Sequence, residues 1–307
     1  MNQTRRREQT PDTQPLVSIV LPTLNGSRYI ASSLESCIRQ SYGHLELIVV
    51  DGGSTDGTLD IVRSYADPRI RIVNQANNAG RLPGALNEGF AQAQGDFFTW
   101  TQDDDCYTPD ALASMVAALQ AEPEVGFVYA GFWFIDAAGH VLRSAEIRPP
   151  AELYWRNAVG HCFLYRRAVA DQVGGYALDY IMSEDSQYWV RVYRTAKMKQ
   201  LTGNYFYHRL QPDNLTGRNF GAYASLRVAA RARREVLHIS WLEYQRQLGD
   251  AYIEEAFAAQ AQAAHARVRR CVLQGVLRNP RWLANRGVLS IGLRALLAPR
   301  PVREPAA

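Results

Sequence analysis

The chain has 307 residues, 47% of them hydrophobic and 21% charged, which excludes a disordered chain and allows one large domain with an appendage, or two domains. The net charge of +4 is unevenly placed: from Arg227 onward fourteen arginines face six acids, so that part carries about +8 and the part before it about −4. Four scattered cysteines, Cys37, Cys106, Cys162 and Cys271, have no paired spacing, so metal-binding or redox cysteine motifs are not expected and a reducing, cytoplasmic compartment is.

Residues 1–14 are polar, carry Arg5-Arg6-Arg7 and two prolines, and read as a disordered segment without the apolar core of a signal peptide. No run in the chain reaches the ~18 apolar residues of a membrane-crossing helix. Residues 17–22 read as a short buried strand ending at Pro22, and 27–40 as a helix spaced by Tyr29, Ile30, Leu34, Cys37 and Ile38. Residues 45–51 are a second strand, 58–65 a helix, 70–73 a third strand, 82–94 a helix and 97–101 a fourth strand. Strands alternating with helices require crossovers, hence a parallel sheet with helices on its faces. Ligands of such sheets sit at the carboxyl ends of the strands. Here those ends are Pro22-Thr23-Leu24-Asn25, Asp51-Gly52-Gly53 and Asp103-Asp104-Asp105, and the three clusters are expected to converge on one crevice.

The acid triplet organises the rest. It follows an apolar strand and precedes a helix expected to start with Thr108 as N-cap and Pro109 at the first helical position. Three adjacent like charges repel, and Mg²⁺ or Mn²⁺ shared with substrate phosphates would offset them. A solvated acidic loop is the alternative. On an extended backbone Asp103 and Asp105 would face away from Asp104.

In the second half, residues 125–135 form an aromatic-rich strand, 136–139 a turn and 140–142 the return of a hairpin. Residues 158–165 are a strand, 168–173 a helix, and Ser183-Glu184-Asp185-Ser186 caps a helix bearing Tyr188, Trp189, Val192 and Tyr193. Residues 205–208 read as a late strand. From about Tyr223 the chain is helical, with breaks near Asn279-Pro280 and Arg286-Gly287.

In their order and spacing, VSIVLPTLNG at 17–26, IVVDGGSTDGT at 48–58, Asn78-Ala79-Gly80, Asn87, Gly95-Asp96 and Asp103-Asp104-Asp105 with Pro109 resemble the family 2 glycosyltransferases, over about residues 17–216. The resemblance implies an α/β, Rossmann-like, mostly parallel sheet of the nucleotide-diphospho-sugar transferase (GT-A) type, flanked by helices. It implies a catalytic domain at 15–222, with a nucleotide half at 15–105 and an acceptor half at 106–222, then a helical extension at 223–307. It also implies a metal-dependent inverting transfer of sugar from a nucleotide-diphospho-sugar to a hydroxyl acceptor, in cell-surface polysaccharide or lipid-linked glycan assembly.

Residue by residue, the resemblance puts Pro22, Thr23 and Asn25 under the base and Asp51 on the nucleoside. Gly80 and Arg81 border the pyrophosphate, and Asp103 faces the ribose or a metal-bound water. The metal falls on Asp104, with Asp105 and the late His208 as further candidates. Asp185 is the base that deprotonates the acceptor, and Glu184, His161 and Trp189 line the acceptor side. This chain departs from a common form of the family pattern at Gly52 and Gln102, where many relatives carry acids, and has Gln211 where many carry His. Those departures leave a non-catalytic nucleotide-sugar-binding or scaffolding protein as the alternative. The basic C-terminal helices suit either contact with an anionic membrane surface at the inner face of the cell membrane or a helical cap on the domain. No nucleic-acid recognition fold is visible, so no nucleic-acid partner is expected.

Overall fold

The structure is a computed structural model, and it describes residues 14–75, 81–211 and 221–298. Its first part is four parallel strands in the order β3-β2-β1-β4: β1 (Val17–Thr23), β2 (Leu45–Asp51), β3 (Ile70–Asn74) and β4 (Phe97–Trp100). Helices α1 (Ile30–Ile38), α2 (Thr58–Ser64) and α3 (Arg81–Gln92) lie between them in sequence. β2 is buried at all seven positions, as a strand covered on both faces must be. Because side chains alternate across a strand, the sheet feeds two cores. Val20, Ile48, Val50, Phe98 and Trp100 enter one, and Ile19, Leu21, Leu47, Val49 and Phe97 the other. Gly89 lets α3 sit against the first core, since a Cβ there would lie 2.4 Å from Val20 Cγ1.

The second part makes the sheet mixed. β4 pairs antiparallel with β8 (Cys162–Arg166), which pairs antiparallel with β6 (Val125–Ile135). β6 in turn pairs in parallel with β9 (Lys197–Arg209), and β7 (Val141–Ser144) hairpins onto β6. The remaining helices of this part are α4 (Ala111–Ala121), α5 (Arg167–Val173) and α6 (Glu184–Thr195).

Several local expectations are corrected here. A two-residue strand, β5 (Cys106–Tyr107), pairs with β9, and the late strand begins at Lys197 rather than 205. α4 starts at Ala111: the Thr108 amide donates to Tyr205 O at 2.9 Å, which holds Thr108 against β9 just past the end of β5. Its hydroxyl donates to Asp110 instead of capping. The acids occupy a turn, with the Asp105 amide directed at Gln102 O, so their side chains do not follow the alternation of an extended chain.

The C-terminal part is helical: α7 (Gly221–Val236), α8 (Trp241–Ala261), α9 (His265–Arg278) and α10 (Arg286–Leu297), with a 3-10 turn at Pro280–Ala284. The breaks fall at Asn279-Pro280 and before Arg286, where Asn285 Oδ1 accepts from the Val288 amide. At α8, Ser240 Oγ accepts from the Glu243 amide, half of a capping box. Among the described residues no helix is long and apolar enough to cross a membrane.

Candidate active site

The ends of β1, β2 and β4 are stitched to one another. Thr23 O accepts from the Gly52 amide at 2.9 Å, and Asn25 Oδ1 accepts from the Thr55 amide at 2.8 Å. Asn25 itself is left-handed, with φ at 56°. Asp51 is almost fully buried, and its carboxylate accepts from the Gly53 and Ser54 amides and the Ser54 hydroxyl. Its oxygens therefore hold its own turn. Pro22 is half-buried within β1, opposite Val50. Arg81 opens α3 with an exposed side chain and a left-handed backbone, φ 52°, and Gly80 lies outside the described residues.

Each acid of the triplet has a different partner. Asp103 Oδ2 accepts from Thr23 Oγ1 at 2.5 Å, which ties the acid turn to the end of β1. A Cβ on Gly26 would fall 2.2 Å from that same oxygen, so the approach requires glycine. Asp104 Oδ2 accepts from Gln211 Nε2 at 2.6 Å. Burial, then the charges of Asp105 and Asp103, push its carboxyl up to about 7. Asp105 is fully buried and accepts from the Arg209 amide at 2.9 Å and from His208 Nδ1 at 3.0 Å. Burial alone would raise the Asp105 carboxyl, but His208 beside it holds it below the usual carboxylate value. His208 is shifted the other way: burial opposes its charge, yet Asp105 draws its pKa above the ordinary imidazole value.

His161 stacks on His208 with ring centroids 3.9 Å apart. Burial and the neighbouring His208 push it down to about 3, so it is a neutral imidazole near pH 7. Asp105, His161 and His208 each offer a ligand atom within 4.8 Å of the others. One carboxylate with two imidazoles, at least one neutral, is a donor set that a transition ion such as Mn²⁺ accepts more readily than hard Mg²⁺, and the Asp104 carboxylate lies near enough to feel the charges of Asp105 and His208. His161, expected toward the acceptor, thus belongs to this cluster. Gln211 and His208 both reach the triplet, on different acids.

Asp185 lies in the first turn of α6. Its Oδ1 accepts from the Ser186 amide at 2.6 Å and its Oδ2 from Asn157 Nδ2 at 2.8 Å. Burial raises its pKa; Glu184 beside it is raised by burial and then by the Asp185 charge. Glu184 is 7% exposed, and its Oε2 has no hydrogen-bond partner among the described residues. Ser183 sits at the N-cap position, but its hydroxyl donates to Ser225 O, so it does not cap as expected.

Asn157 links the two halves of the site. Its Oδ1 accepts from the Val159 amide at 3.1 Å and shapes the turn that ends at Gly160, φ 74°, immediately before His161. The segment that orients Asp185 therefore also delivers His161 onto His208 and Asp105.

Trp189 is corrected outright. It is fully buried, with ring centroids 4.5 Å from Phe163 and 5.0 Å from Phe127, and it has no open face for a sugar. Sequence reasoning also missed Asn157, Arg209 and Arg233. Buried Arg209 donates from Nε to Asp104 O and from Nη1 to Asp136 O, fixing the acid turn against the end of β6. Arg233, on α7, is buried, donates to Leu153 O at 3.0 Å and feels the Asp185 charge. Only Asn157 had a signal, an Asn three residues before a Gly.

The model of glycosyl transferase family 2 matches residues 18–174, about half of the chain. An uncharacterized glycosyltransferase of Rickettsia felis is 35% identical over 142 residues, 45% of this chain and 23% of that protein. A PGL/p-HBAD biosynthesis glycosyltransferase of Mycobacterium bovis BCG is 30% identical over 188 residues, 58% of this chain and 70% of that protein. The chain spans 23% to 40% of the length of the Rickettsia felis and Rickettsia typhi relatives. Among solved structures, S. aureus TarS 1-349 in complex with UDP-GlcNAc superposes with a TM-score of 0.64 at 16% identity, covering 91% of this chain and 88% of that one. The mannosyltransferase PcManGT from Pyrobaculum calidifontis, in complex with GDP-Man and Mn²⁺, gives 0.59 at 21% identity, covering 94% and 88%. These likenesses establish a GT-A architecture.

Proposed function

Since the chain belongs to glycosyl transferase family 2, we propose that it is a metal-dependent, inverting glycosyltransferase, moving a sugar from a nucleotide-diphospho-sugar to a hydroxyl of a glycan or lipid-linked glycan. The observation that carries this reading is the Asn157–His161 segment, which joins Asp185 to the Asp105–His161–His208 cluster. The donor diphosphate lies at the acid turn. Thr23, Asn25, Asp51 and Asp103 build the floor under the nucleoside, and Arg81, exposed at the start of α3, reaches the phosphates. Asp105, His208 and Asp104, with His161 beside them, would hold Mn²⁺ or Mg²⁺, which supplies positive charge to the departing diphosphate.

Asp185 then acts as general base. Burial keeps its carboxylate a better proton acceptor than an exposed one, and two donors fix its direction. It takes the proton of the acceptor hydroxyl. That oxygen bonds to the anomeric carbon from the face opposite the diphosphate, and the carbon–oxygen bond to the diphosphate breaks, which inverts the centre. Buried Glu184, with its unpartnered oxygen, accepts a hydrogen bond from a second acceptor hydroxyl. Four free thiols, Cys106 half-buried and the other three buried, suit a reducing, cytoplasmic compartment. A non-catalytic scaffold is not favoured: it has no use for a paired, buried Glu184 and Asp185 that cost stability when charged.

The test is a screen of UDP- and GDP-sugars for Mn²⁺-dependent cleavage by the purified chain, with product anomers read by NMR. Release of nucleoside diphosphate that stops on chelation, with inverted product, is the expected result. Cleavage unaffected by chelation, or retained anomeric configuration, would overturn the reading.

A further inference from the structure

The helix α10 is apolar on two sides. Val288, Ile291 and Ala295 face inward, the last two joining Val268 and Cys271 of α9 in one buried cluster. On the opposite side Leu289, Leu293, Leu296 and Leu297 stand 50%, 59%, 69% and 77% exposed. Their spacing is i, i+4, i+7, i+8, a second helical stripe. α9 repeats the arrangement, with Leu273 and Leu277 exposed one turn apart. Among the described residues, packing within the chain accounts for the inward stripes and not for the outward ones. Contiguous exposed leucines of this kind mark a surface that is covered in use.

The charge beside these leucines selects the cover. Between residues 256 and 298 there are seven arginines and no Asp or Glu. Arg270, Arg281, Arg286 and Arg294 are exposed and form no ion pair among the described residues. Arg267, by contrast, is engaged with Glu255. Leucines flanked by unpaired arginines, with no acid in the segment, match acyl chains below a layer of anionic headgroups. The turn between the helices is tied to α8: Trp282 Nε1 and Asn279 Nδ2 both donate to Asp250 Oδ1 at 2.7 Å.

We propose that the outward faces of α9 and α10 are a docking surface for an anionic lipid bilayer, with the leucines entering the headgroup boundary and the arginines meeting lipid phosphates. The inference is independent of the sugar-transfer reading, because none of its residues is among the partners of the acid turn and its test uses no donor.

Flotation of the full chain with vesicles decides it. The protein is expected to float with phosphatidylglycerol-rich vesicles and not with pure phosphatidylcholine, and to be released at about 1 M salt, where the screening length falls to about 3 Å. Neutralising Arg281, Arg286 and Arg294 to Gln should weaken partitioning roughly 10²-fold, at roughly fivefold per arginine. Leu293→Glu with Leu297→Glu should abolish flotation with the melting temperature unchanged, since both side chains are exposed. The proposal fails if the wild-type chain stays unbound to anionic vesicles, or if both variants float as it does. It also fails if the leucine variant instead splits a stable dimer that binds no vesicles, which would assign the face to a second copy.

Discussion

Replacing Asp185 with asparagine removes the base and keeps the shape. A positioned general base contributes roughly 10²–10⁴ in rate, or about 2.7–5.4 kcal/mol at 1.36 kcal/mol per decade. The structure places the expected loss in the upper half of that range. In Asp185→Asn the new amide oxygen can still accept from the Ser186 amide, but the new NH₂ then meets the NH₂ of Asn157. Asn157 cannot flip to correct this, because its own Oδ1 accepts from the Val159 amide. The clash leaves a donor unpaired, at a cost of about 1 kcal/mol in stability, and tilts the remaining side chain. A rate loss of roughly 10³–10⁴ is therefore expected, with nucleoside diphosphate affinity within about twofold of wild type. The assay is initial rates with the donor found by screening, beside calorimetric titration of the nucleoside diphosphate. A variant keeping more than about a tenth of the wild-type rate would refute Asp185 as the base.

The other predictions follow from the same geometry. Asn157→Ala keeps the base but removes a donor that favours its ionised form, so the acid limb of the pH–rate profile should move to higher pH, with activity partly recovered there; an unshifted limb would refute a positioning role for Asn157. In the wild type, activity should fall as pH drops toward the raised Asp185 and Glu184 values, because the base must be ionised. Stability should run the other way: these groups hold protons in the folded state that the unfolded chain has lost, so their ionisation destabilises the fold as pH rises through that window. Chemical denaturation across pH would show that opposite slope. Trp189→Ala should cost about 3–5 kcal/mol in unfolding free energy, the usual penalty for emptying a buried aromatic site; a variant of wild-type stability with weakened acceptor binding would restore Trp189 to the acceptor site.

Much of the nucleotide half was legible because its signals are local. β1, β2 and β4 are mostly apolar runs, broken only by Ser18, Glu46 and Thr99 before their ends, and their carboxyl ends carry Thr23, Asp51 and the acid triplet in sequence order. The second half depends on distant pairing. Residues 197–204 are largely polar and become strand only by lying along β6, with register shifts that no periodicity announces. Thr108 has every local mark of an N-cap, yet a partner nearly a hundred residues away, Tyr205, holds its amide against β9. Trp189 follows Tyr188 on a helix with a polar turn at its start, and its burial is decided by Phe127 and Phe163 on other strands. The acids could be read, but not their division of labour: that Asp103 holds Thr23, Asp104 meets Gln211 and Asp105 meets His208 is tertiary information.

One measurement tests the account most directly: calorimetric titration of UDP and GDP into the wild-type chain and Asp104→Ala, each with and without Mn²⁺. Among the described residues the Asp104 carboxylate accepts a side-chain bond only from Gln211, so its loss should leave the fold intact. The expected result is a gain in nucleotide affinity on adding Mn²⁺ that is present in the wild type and absent in the variant. Equal metal-dependent affinity in both proteins would contradict Asp104 as a ligand of the cation.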